Sequence, residues 1–216
     1  MTAYPTITWV SAASPGYESD LARLVASTRH LGADHRFEFC RTDRSKAWKQ
    51  TDKFDYLRAA LRECLTTHVF WIDADCEFLG PFATWDITEK PLTAVQHFGS
   101  TGPGNYLPPK LLPRLNGKPR IGLSWQSCLF GGDQEAMRDL LSRLAWMAAE
   151  SETYDEHGLV LDWAQLTPDK LQTLPCRWAA PSNFDHFAPE YRARYNARSG
   201  GLPIIAHHNR ALNPGK

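Results

Sequence analysis

Two hydrophobic rhythms alternate along the first half of the chain. Residues 6–13 (TITWVSAA) form a short β-prone run that stops at Ser14-Pro15-Gly16, a turn-forming triplet. Residues 18–31 then place Leu21, Leu24, Val25, Thr28 and Leu31 on one helical face. Residues 36–40 return to a strand pattern. From Asp52 onward, Phe54, Leu57, Leu61, Cys64 and Leu65 resume helical spacing. Val69-Phe70-Trp71-Ile72 is an unbroken apolar run, as expected of a strand covered on both faces. Strand, helix, strand, helix, strand predicts an α/β fold with a mostly parallel central sheet flanked by helices.

The second half is less regular. Residues 92–97 have strand character, and residues 99–118 are rich in Gly and Pro and predict a long loop. Residues 127–130 predict a short strand that stops ahead of Gly131-Gly132. Residues 134–149 form an amphipathic helix through Met137, Leu140, Leu141, Leu144 and Met147. A short helix is expected over 159–166, stopped near Pro168, and a late strand over 203–207. No internal repeat or low-complexity tract interrupts this, so a single domain is expected over 1–216.

Charge narrows the partners. The 24 basic and 24 acidic residues cancel, which removes any bulk attraction to nucleic acid or an anionic membrane. Arg192, Arg194, Arg198 and Arg210 read as a solvated face. No apolar run approaches the ~20 residues that span a bilayer, and the N-terminus lacks the basic flank of a signal peptide. The five cysteines (Cys40, Cys64, Cys76, Cys128 and Cys176) show no C-x-x-C spacing. They are expected to be reduced, buried thiols and not a disulfide frame or zinc site. A cytoplasmic protein is expected, with peripheral membrane association through a partner compatible with the composition.

The chemistry concentrates at Asp73-Ala74-Asp75, directly after the buried apolar run. Ligands of α/β sheets sit beyond the carboxyl ends of strands. In extended backbone, residues two apart point to the same side, so the two carboxylates are placed to engage one hard cation, Mg²⁺ or Mn²⁺. Such ions take their remaining oxygens from water and substrate phosphates. The bland alternative is a pair of strand-terminating surface acids.

Residues 69–78 (VFWIDADCEF) resemble the DxD segment of GT-A fold glycosyltransferases, and Lys53-Phe54-Asp55-Tyr56-Leu57-Arg58 resembles the helix that precedes it in many of them. The resemblance implies a GT-A-like fold and a nucleotide-sugar donor whose diphosphate is bridged by the cation held on Asp73 and Asp75. It further implies that the first strand, at Val10, Ser11 and Ala12, holds the nucleoside. Lys53 or Arg58 would contact phosphate or stabilise the helix start. Residues 1–98 would then be the nucleotide-binding half and 99–216 the acceptor-side half.

A second constellation lies downstream. Gly131 and Gly132 allow close backbone approach to a ligand or a turn into the helix. Asp155 and Glu156 open a helical stretch, where an acid also serves as an N-cap. Phe130-Gly131-Gly132 followed by Asp155-Glu156-His157 resembles the retaining family that includes the blood-group A and B transferases and α-1,3-galactosyltransferase. By that resemblance Glu156 is the catalytic carboxylate beside the donor sugar, Asp155 binds sugar hydroxyls, and Gly131 and Gly132 approach the donor. The interval between glycines and acids is shorter here, and Gly158 separates His157 from Leu159.

A late histidine completes the metal shell in several GT-A families, and Ile205-Ala206-His207-His208 is similar. Neighbours in extended backbone face opposite ways, so one of His207 and His208 reaches the cation; the phase of Ile205 favours His207. Of the eight tryptophans, Trp9, Trp71 and Trp146 have core patterns, whereas Trp125, Trp163 and Trp178 lie near expected loops and are candidates to stack on a sugar. The expected activity is metal-dependent transfer of a sugar from a UDP-type donor to a hydroxyl acceptor, with retention favoured. The alternatives are an inverting transferase, a nucleotidyltransferase, which would want a basic glycine-rich loop that residues 11–16 lack, and a non-catalytic nucleotide-sugar or carbohydrate-binding module.

Overall fold

The computed structural model describes residues 4–41, 52–97, 125–151, 155–182 and 189–208. The Gly/Pro-rich segment expected as a loop, Arg210, and the side chains of Cys40, Trp146 and Arg198 lie outside the described residues.

The first half follows the hydrophobic rhythm closely. Strand β1 (Ile7–Ala13) is buried at every position, as its β-branched and aromatic content requires of a strand covered on both faces. A turn at Gly16, with φ at +92°, leads into helix α1 (Glu18–Ser27), which buries Leu21 and Leu24. Val25, expected on the same face, is 42% exposed. Strand β2 (His35–Arg41), helix α2 (Asp52–Glu63) and strand β3 (His68–Ile72) follow. Next come β4 (Cys76–Phe78) and β5 (Leu92–Gln96). Strand β6 (Trp125–Asp133) feeds directly into α3 (Gln134–Ser151), whose start is capped by the Asp133 carboxylate accepting from Ala136 N at 2.7 Å. Helix α4 (Asp155–Trp163), strand β7 (Leu171–Leu174), the two-residue strand β8 (Ala180–Pro181), helix α5 (Pro189–Ser199) and strand β9 (Ile205–His207) complete the order.

The architecture is α/β, with a six-stranded sheet in the order β2-β1-β3-β6-β5-β7 and a three-stranded sheet β4-β9-β8. The large sheet is mixed but mostly parallel, as expected: five of its six strands run the same way, and only β6 is reversed, antiparallel to both β3 and β5. The other pairings, β1 with β2 and β3 and β5 with β7, are parallel. Strand direction leaves no trace in hydrophobic periodicity, because a strand buried on both faces reads the same either way.

The alternation along β3 splits the core into two layers. Val69 and Trp71 join Val10, Phe130 and the apolar faces of α2, α3 and α4. Phe70 and Ile72 face the other way, toward Trp9, Leu24, Phe78 and Ile205. Trp125, Trp163 and Trp178 are all buried in these layers, so the tryptophans expected near sugar-binding loops are core residues. Trp163 packs edge-on against both Trp125 and Phe130.

Strand β6 also revises the glycine pair. It runs nine residues, straight through Gly131 and Gly132, instead of stopping before them. A Cβ at Gly131 would collide with the Phe70 ring, and one at Gly132 with the carbonyl oxygen of Pro91. The glycines exist here to let the sheet's own backbone and rings approach.

Candidate metal centre

The site forms where β3 ends. Asp73 N donates to Cys128 O at 2.9 Å, continuing the β3–β6 ladder by one step. The backbone then turns, with Cys76 N bonded to Asp73 O at 3.0 Å, and His208 N bonds Asp75 O at 2.8 Å as β4 pairs with β9. Asp73 and Asp75 therefore converge through a tight turn clamped on both sides, not through the extended alternation expected from their spacing. The sheet fixes one end of the turn and the small sheet the other.

Asp73, Asp75 and His207 each offer a ligand atom, all within 4.8 Å of one another, and could hold a metal ion. Three ligand atoms spread evenly around a cation with bonds of about 2.1 Å lie at most about 3.6 Å from one another, so binding would draw the trio together by roughly an ångström at most. Two carboxylates and an imidazole suit a hard or borderline divalent ion. The Asp75 side chain is 12% exposed and that of His207 15%, whereas Asp73 is 29% exposed. The open side of the site is thus at Asp73, where water or substrate oxygens would complete the shell.

Each ligand is held by neighbours. Trp71, within β3, donates from Nε1 to Oδ1 of Asp73, one residue past the strand's end, at 2.5 Å. Lys53, buried on α2, places Nζ 3.7 Å from the same oxygen and 5.5 Å from the centre of the Trp71 ring. Burial pushes the Asp73 carboxyl up, with the Lys53 charge opposing. Asp75 behaves oppositely: burial would raise it, but the hydrogen bond and charge of His207 outweigh that and lower it. His207 Nε2 lies 3.4 Å from Asp75 Oδ1. Burial disfavours its charged form, yet Cys128 and Asp75 outweigh the penalty and hold His207 well above its usual value.

Of the two late histidines, only His207 joins the carboxylates. His208 turns to the opposite side and bonds Glu77 Oε2 at 2.9 Å, so its expected role as metal ligand is corrected by the strand's alternation. Arg58 likewise does not reach the site: it pairs with Asp55 at 2.9 Å and donates to Leu141 O at 3.1 Å, tying α2 to α3. Gly131 and Gly132 pair with Phe70 and Val69, while the Asp73 end of β3 adjoins Cys128 and Leu129. The expected glycine contact to a donor is therefore corrected to a packing role. Val10, Ser11 and Ala12, the residues expected to hold a nucleoside, are interior, at 1%, 0% and 6% exposure. Asp155 and Glu156 open α4, and their side chains lie outside the described residues.

The structure also contains a cluster that spacing conceals. Cys76, Cys128 and His207 form a second group of potential ligand atoms within 4.8 Å of one another. The four described cysteines are free thiols, as expected, and Cys64 alone among them is only partly buried. The hydrogen bond between Cys76 and Cys128 drives Cys76 well up and lowers Cys128 to about 6, with His207 assisting. The cysteine spacing predicts only reduced thiols and does not anticipate this grouping of two sulfurs with an imidazole. Cys76 and Cys128 lie on different strands of different sheets, and no motif in the sequence pairs them.

No protein-family model and no curated protein matches the sequence. Among the described residues, no helix is long and apolar enough to cross a membrane.

Proposed function

We propose that the chain is a metal-dependent glycosyltransferase of GT-A-like fold, moving a sugar from a UDP-type donor to a hydroxyl acceptor with Mn²⁺ or Mg²⁺. The observation that carries this is the convergence of Asp73, Asp75 and His207 at the carboxyl end of β3 in an α/β sheet, with Asp73 the most exposed of the three. With Gly131 and Gly132 inside the sheet, retention rests on the resemblance of Asp155-Glu156 alone.

The ion at this site would supply Lewis acidity to the departing diphosphate. The protein's own groups have distinct tasks. Trp71 and Lys53 hold the Asp73 carboxylate in one orientation before any ligand arrives, and His207 does the same for Asp75. Glu156, in the role implied by the resemblance, would stabilise positive charge on the sugar or attack its anomeric carbon.

A screen of nucleotide sugars with and without Mn²⁺ tests the proposal. Release of nucleoside diphosphate from a UDP-sugar only when Mn²⁺ is present, and its loss in Asp75→Ala, is the expected result. Metal-dependent release from none of the nucleotide sugars would overturn it.

A further inference from the structure

We infer that Cys76, Cys128 and His207 form a second metal site, suited to a thiophilic cation such as Zn²⁺, which competes with the carboxylate site for His207. The ligand chemistry separates the two. Thiolates with an imidazole favour Zn²⁺, Cd²⁺ or Co²⁺ in tetrahedral geometry, whereas Mg²⁺ and Mn²⁺ favour carboxylate oxygen.

Geometry supports the sulfur site. Cys76 stands opposite His207 across the β4–β9 pair. Cys128 sits at the neighbouring point of β6, where its carbonyl receives the Asp73 amide. The two sulfurs and the ring nitrogen all lie within 4.8 Å. A tetrahedral ion with Zn–S bonds of about 2.3 Å and Zn–N of about 2.0 Å places such atoms roughly 3.5–3.8 Å apart, so modest closure forms it. Cys76 is fully buried and Cys128 is 3% exposed, giving the ion a dry shell, while the partly exposed side chain of His207 marks the way in.

Sharing His207 makes the sites exclusive. A neutral imidazole has one nitrogen free to accept, the other carrying its proton, so it serves one ion at a time. A thiophilic ion that draws His207 toward the sulfurs leaves Asp73 and Asp75 without their third ligand. Zinc would thereby weaken Mn²⁺ binding without touching either carboxylate. The competition, though not the sulfur site itself, rests on the carboxylate site taking Mn²⁺.

The test uses the full chain and Co²⁺ as the probe. Wild-type protein titrated with Co²⁺ should develop a sulfur-to-cobalt charge-transfer band in the near ultraviolet, which Zn²⁺ then abolishes. The band should survive Asp73→Asn and disappear in Cys128→Ser and Cys76→Ala. Absence of the band in wild-type protein, which requires no variant to fold, overturns the site, as does its persistence when both cysteines are replaced. Mn²⁺ binding followed by electron paramagnetic resonance should weaken about tenfold with Zn²⁺ present, and Cys128→Ser should remove that antagonism. Mn²⁺ binding that is indifferent to Zn²⁺ overturns the shared histidine. Neither readout depends on sugar transfer, so a failed donor screen leaves both intact.

Discussion

His207 Nε2 lies 3.4 Å from Asp75 Oδ1, while its neighbour His208 bonds Glu77 instead. Consecutive histidines at the end of β9 thus go to two different acids. It follows that His207→Ala should lower Mn²⁺ affinity about tenfold or more, whereas His208→Ala should change it by less than about twofold. Isothermal titration of both variants checks this. Equal losses would show that both rings serve the ion.

Mn²⁺ affinity should rise with pH and keep rising past neutrality. His207 is held well above its ordinary 6.5, and a cation must displace its proton. Deprotonation as pH rises therefore favours the metal, and binding near pH 7 should release a proton, measurable by calorimetry in buffers of different ionisation enthalpy. The sign reverses for the metal-free fold. A raised histidine stabilises it fully below about 6.5, and that contribution fades as pH climbs through the folded value. Asp75, held below its ordinary 3.8, stabilises the fold above that value and loses the effect as pH falls through its folded one.

Lys53 and Arg58 should separate cleanly. Lys53→Met keeps the buried stem but removes the charge beside Asp73. Mn²⁺ should then bind more tightly at neutral pH, because a competing cation is gone, while an anionic nucleotide donor binds more weakly. Arg58→Met should leave both affinities unchanged and lower stability by about 1 kcal/mol through its lost bond to Leu141 O. Paired metal and nucleotide titrations with denaturant unfolding distinguish the two. Loss of nucleotide binding in the arginine variant would contradict its structural role.

Gly131→Ala and Gly132→Ala should destabilise the protein by roughly 1–3 kcal/mol or more, since each new methyl meets packed sheet. Metal affinity of the fraction that folds should remain that of the parent. A variant of full stability with impaired donor binding would restore the ligand role to these glycines.

Much of the fold could be read from local pattern. The unbroken run Val69 to Ile72 became the strand β3, and the 3.6-residue rhythm of Phe54, Leu57 and Leu61 became the buried face of α2. Such signals need only near neighbours in the chain. The pattern did not mark β4 or β7, strands of three and four residues, because so few positions carry no readable period. It also ended β6 too early. Gly131 and Gly132 look like a break in isolation, and only the Phe70 ring and Pro91 carbonyl explain why a strand would lack side chains there.

The site divides in the same way. By itself the sequence determined that two acids follow a buried strand, and that alternation lets only one of two adjacent late histidines face a given side. Both follow from local backbone geometry and the alternation of side chains. Tertiary structure alone decided that Lys53 sits against Asp73, that Arg58 does not approach it, and that Cys76 and Cys128 share His207 with the carboxylates. Those contacts join residues from separate elements. Their distances are set by how strands order within the two sheets and how α2 packs on one of them, and no spacing along the chain encodes that.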